Sequence, residues 1–115
     1  MIITLTDEFD QWVKTLSDIP KGRIEGTIDT LFNDLRGNIV EPHGTREQDS
    51  RHQPNVFVVY PVSEGKTYVV FCFLTGSEVY LVSGHDSNVW LDYGAKLQEA
   101  DRIIDGLQSR YVAAT

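Results

Sequence analysis

The chain has 115 residues, 41% of them hydrophobic and 23% charged, which suits one globular domain with a modest core and leaves too little for two. Seventeen Asp and Glu against ten Lys and Arg give a formal net charge of -7. That charge repels phosphate backbones and anionic membrane surfaces at long range, so nucleic acid and membrane are not the default partners.

MIITLTDEFD has neither the basic leader nor the apolar core of a signal peptide, and no stretch approaches the roughly 18 apolar residues of a membrane span. The lone Cys72 inside VVFCFL excludes an internal disulfide and reads as a buried, inert thiol. A soluble, cytoplasmic protein in a reducing compartment is the expectation.

In chain order, IITL at Ile2 to Leu5 is short and β-branched, and Thr6 and Asp7 bound it, which predicts an opening strand followed by a helix N-cap. Phe9, Trp12, Val13 and Leu16 then recur at i, i+3, i+4 and i+7 behind an acidic first turn. They predict a helix. SDIPKG interrupts it, and Pro20 can open a second helix whose apolar positions Ile24, Ile28, Leu31 and Leu35 keep the period until Gly37. The pair reads as a helical hairpin laid on one face of a sheet.

Residues 37–54, GNIVEPHGTREQDSRHQP, are polar and Pro-punctuated, and they exceed the median connection of about 4 to 6 residues several-fold. Three runs rich in Val, Phe and Tyr follow, near residues 55–62, 66–74 and 77–83, joined by turns containing Gly65 and Gly76. They predict an antiparallel meander. Leu97, Ala100, Ile104, Leu107 and Tyr111 form one stripe at helical spacing, so a last helix is expected between Asn88 and Tyr111, with the terminal VAAT frayed. The predicted class is α+β, a single domain in the order β-α-α-β-β-β-α, with the hairpin on an antiparallel sheet and a C-terminal helix.

That order resembles the RelE/ParE superfamily of toxins from toxin–antitoxin systems, HigB-like members included. DEFDQWVKTL is similar to the family's F-x-x-W-x-x-x-L start, and GNIVEPHG resembles the segment by which its members leave the second helix. TYVVFCFLTGSEVYLVSGH resembles their third strand, tight turn and fourth strand, and QEADR the acidic-Ala-basic stretch of the last helix. The resemblance implies a toxin-like protein acting on mRNA or translation, an endoribonuclease in the usual case, held by an antitoxin. The nucleases of the family place Glu-Leu-Arg where Val58, Val59 and Tyr60 stand, an Arg where Val69 follows Tyr68, and two lysines where His85, Asp86 and Ser87 stand. The cations that such chemistry uses for the phosphorane-like state are absent from those positions.

Several residues remain as candidates. His85 and Asp86, after Gly84 at a strand end, can act as acid or base or can cap the following helix, with Ser87 and Asn88 as further caps. Tyr68 can position a base, and Tyr60, Tyr68 and Tyr80 form either a stacking platform or ordinary packing. Arg46 and Arg51, with His43 and His52, can meet phosphate if the long loop folds over the sheet, although Glu41, Glu47 and Asp49 offset them. The histidines have no recognised metal-ligand spacing, so no metal and no cofactor is expected. The two early helices hold seven of the seventeen carboxylates, Asp10, Glu25 and Asp29 among them, and Trp90 with Tyr93 adds an aromatic edge. Together they predict a surface for a protein partner, either an antitoxin or a basic target. The second functional expectation is therefore a non-catalytic, acidic inhibitor or immunity-type factor that binds a basic nucleic-acid-binding machine.

Overall fold

The computed structural model describes residues 2–29, 44–46, 49–52, 55–75, 78–86 and 92–114, with backbone alone at 2, 44–46 and 108–114. Its elements run β1 (Ile2–Leu5), α1 (Asp7–Lys14), α2 (Asp18–Asp29), β2 (Gly44–Arg46), β3 (Val56–Val59), β4 (Val62–Ser63), β5 (Lys66–Leu74), β6 (Glu78–Asp86) and α3 (Tyr93–Ala114). The class is α+β, as the periodicities predict. The sheet order is β1-β6-β5-β3-β2, with β4 pairing the start of β5.

Local chemistry sets the boundaries. Thr6 caps α1: its hydroxyl accepts the Phe9 N–H at 3.1 Å and donates to the Val82 carbonyl at 2.6 Å, tying the helix start to β6. The α1 helix stops at Lys14, where the Thr15 N–H turns back to the Trp12 and Val13 carbonyls. Leu16 thus lies beyond the helix, although it still packs on the core. In α2 the Ser17 carbonyl accepts the Lys21 N–H, so Pro20 sits in the first turn, where no helical bond needs its nitrogen. Leu31, Leu35 and Gly37 lie outside the described residues.

Two expectations about the strands are corrected. The sheet is mixed, because β1 runs parallel to β6 with Thr4 opposite Tyr80. The run 55–62 is also two strands: Pro61 separates β3 from β4, and its carbonyl accepts the Tyr68 N–H at 2.8 Å. The long 37–54 segment contributes β2, which pairs with β3 at the sheet edge. Glu64 and Gly65, at φ 55° and 76°, make the tight left-handed turn between β4 and β5 that suits the twist of a hairpin.

Helices cover both faces of the sheet. Phe9 and Val13 of α1 and Ile24 and Ile28 of α2 pack on Phe57, Val59, Tyr68, Val70, Cys72, Val79 and Leu81. On the other face, Leu97, Ala100 and Ile104 of α3 pack on Val56, Val58, Val69, Phe71, Phe73 and Val82. Strands buried on both sides need no polar alternation, which is why VFVV and YVVFCF read as unbroken apolar runs.

Candidate functional site

The β5–β6 ladder decides where the strand-end candidates point. Residues opposite each other in an antiparallel pair share a face, and neighbours along a strand alternate. Asp86 stands opposite Tyr68, and His85 opposite Val69. Asp86 and Tyr68 therefore belong to the α1–α2 face and His85 to the α3 face. The expected set of His85, Asp86 and Tyr68 does not converge: the sheet lies between its members.

Each of the three is occupied locally. Tyr68 is 5% exposed and meets Trp12 edge-on at 6.1 Å between ring centroids. Lys66 Nζ lies 3.1 Å from the Asp86 carboxylate and 5.5 Å from the Tyr68 ring centroid. The hydrogen bond that Lys66 donates to Asp86, and then the charge of that carboxylate, raises the pKa of the Lys66 ammonium above its ordinary value. His85 lies edge-on to Phe71 at 5.9 Å, and its Nε2 is buried without a hydrogen-bond partner among the described residues, as is the Ser83 hydroxyl. Burial, then the Lys96 charge, holds the His85 imidazole below its ordinary value, so it is neutral at neutral pH. A general base must reach the proton it removes, and this nitrogen faces the protein interior. Asp86 closes β6 rather than capping the last helix, which begins after Asp92, whose carbonyl accepts the Lys96 N–H.

The loop candidates are pinned to α3. Ser50 Oγ donates to Asp101 at 2.6 Å, and the Arg51 N–H donates to the other oxygen of that carboxylate at 3.2 Å. The Arg51 guanidinium pairs with Asp105, and His52 Nε2 lies 2.7 Å from the second Asp105 oxygen. The His52 ring also rests edge-on against Phe73. Ser, His and Asp are thus adjacent without forming a nucleophilic triad, since the Ser50 hydroxyl is bonded to Asp101 and not to an imidazole. Arg51, expected at phosphate, is matched to a carboxylate of its own chain. Arg46 sits on edge strand β2 opposite Phe57, its side chain outside the described atoms, and His43 lies outside the described residues.

The tyrosine platform does not form. Tyr60 and Tyr80 pack against the α3-side core, and Tyr68 lies in the opposite one. Among the described residues no three His, Cys, Asp or Glu side chains converge as a metal site. Burial drives the Cys72 thiol far up from its ordinary value, as an inert core thiol requires.

The acidic helical surface is present. Glu25 and Asp29 are exposed on α2, and Asp10 pairs with Lys14 at 2.8 Å on α1. Trp90 lies outside the described residues. Sequence reasoning missed the Asp101–Asp105 anchor. Its signal was available: Asp101 falls between Ala100 and Ile104 on the buried stripe of the last helix, where a carboxylate needs a partner.

No family model, no curated protein and no solved structure matches this chain.

Proposed function

We propose that the chain is a diverged RelE/ParE-type domain of a toxin–antitoxin setting that works by binding a basic protein, as an inhibitor or immunity-type factor, rather than by cutting RNA. The element order and the quoted segments support the scaffold. The observation that carries the binding role is the β5–β6 register, which leaves the His85 Nε2 buried on one face and Tyr68 with Asp86 on the other. The buried His85 Nε2, and the matching of Lys66 and Arg51 to carboxylates, weigh against proton transfer and phosphate stabilisation at these described residues. The acidic helices supply the complementary field for a cationic partner. A cytoplasmic setting belongs to the same reading. It rests on the buried thiol and on the absence, among the described residues, of a helix long and apolar enough to cross a membrane.

The test is a translating extract programmed with a defined mRNA, to which wild type and His85→Ala are added before the RNA ends are mapped. Both should leave the message at background. Cleavage by wild type that His85→Ala lacks would restore the endoribonuclease reading.

A further inference from the structure

Where β1 passes into α1, a cleft of about 600 Å³ opens against α3. Leu5, Asp7 and Glu8 line one wall, and Glu99, Arg102 and Ile103 the other. Both walls are set firmly. On the first, the Thr6 N–H donates to the Leu81 carbonyl at 3.1 Å, and the Thr6 hydroxyl bonds at once to α1 and β6. On the second, α3 buries Leu97, Ala100, Asp101 and Ile104, and Glu99, Arg102 and Ile103 line the cleft. A cleft between pre-formed walls loses little ordering entropy when it is filled.

Its chemistry has two parts. Leu5 is 46% exposed, one of three large apolar side chains so exposed among the described residues, and half-buried Ile103 faces it across the opening. Around this apolar strip stand three carboxylates and one guanidinium, and among the described residues the only ion pair of the three is that of Glu99, to Lys96 at 3.7 Å. A small cation would leave the apolar strip in water, and a nucleic acid would meet net negative charge. A protein segment that joins a cation to an apolar side chain satisfies both parts.

We infer that this cleft docks a short segment of a partner protein in which Lys or Arg neighbours a Leu-, Ile- or Phe-like side chain. The cation meets the carboxylates of Glu8 and Glu99, and the apolar group covers Leu5 and Ile103. Arg102 acts against binding and discriminates by repulsion, so that segments with a surplus cation on its side are disfavoured. This inference rests on the protein-binding reading and gives it a location distinct from the outer surface of α2.

The experiment pans a library of short random peptides, displayed on phage, against the full chain, and then measures the enriched peptides by fluorescence anisotropy. Enriched sequences should pair a cation with an apolar residue. Glu8→Lys and Glu99→Lys should each weaken them by about tenfold, Arg102→Glu should tighten them, and Glu64→Lys in the β4–β5 turn, outside the cleft lining, should leave them unchanged. The gain expected of Arg102→Glu keeps the test decisive if a charge reversal to Lys impairs folding. No enrichment, enriched peptides without cations, or affinities indifferent to all three cleft variants would overturn the assignment. Sensitivity confined to Glu25→Lys on α2 would overturn the cleft while leaving a protein-binding role in place, whereas RNA cleavage in the extract would remove that role itself.

Discussion

Asp101 and Asp105 stand one helical turn apart on α3, and burial separates what they contribute. Asp101 is 3% exposed and holds both the Ser50 hydroxyl and the Arg51 N–H, so its removal strands a hydroxyl that is itself 4% exposed. Asp101→Ala is expected to cost about 2 to 3 kcal/mol in urea unfolding, the range for hydrogen bonds to a buried charge. Asp105 also holds two partners, Arg51 and His52, but is half exposed, and Asp105→Ala should cost markedly less than Asp101→Ala because solvent screens the pair. Equal losses would place the anchor at the wrong carboxylate. His85 adds a pH dependence. Its imidazole is held below the ordinary 6.5, so as pH falls through that value the unfolded chain takes up a proton before the folded one does. Stability should therefore fall from about pH 7.5 to about pH 5.5, and His85→Gln should flatten that decline. Asp105 does not blur the test: the hydrogen bond from His52 lowers its carboxyl below 3.8, so its contribution is lost only in more acidic solution.

Between elements, α1 comes close to β6 at Gly84. Gly84 stands opposite Val70, and the Trp12 ring lies directly over it, in the space that a Cβ at this position would occupy. The absent side chain lets the helix lie flat, with Trp12 bridging Phe9 and Tyr68. Gly84→Ala should destabilise the fold by about 1 to 3 kcal/mol as the ring is displaced, read as a lower urea midpoint with a shifted Trp emission. An unchanged midpoint would show that α1 has room to move. The sequence made the surrounding elements legible through their periods of 3.6 and 2, but not this contact. Gly84 in a strand signals a close approach without naming what approaches. The same limit explains β6, where Phe71 pairs with Ser83 and Cys72 with Leu81, leaving Val82 as the extra residue of a bulge. No turn residue announces that bulge, yet it sets which face His85 occupies.

For the whole molecule, the net charge of -7 matters because four of the described cations are already matched. Lys14, Arg51, Lys66 and Lys96 each lie within ion-pair distance of a carboxylate. Beyond a Debye length of about 8 Å at physiological salt, little positive field remains to gather a polyanion. The isolated protein should show no measurable affinity for a generic single-stranded RNA in a fluorescence-anisotropy titration at that salt. Micromolar binding that weakens steeply with salt and disappears in Arg46→Glu with Arg51→Glu would contradict this and favour the nuclease reading.

Composition, apolar spacing and cap residues by themselves determined the α+β class, the two early helices, the three main strand runs, the last helix and the buried Cys72. These follow from local conformational preference and from the need to bury one stripe or face, which a linear sequence records. Only the tertiary structure decided that β1 runs parallel to β6, that Asp86 and His85 face opposite ways, and that Arg51 and His52 are held by Asp105 fifty residues away. The physical reason is common to all three. Register, strand direction and the choice of ion-pair partner are set by packing between distant segments, and each such segment is locally compatible with several arrangements.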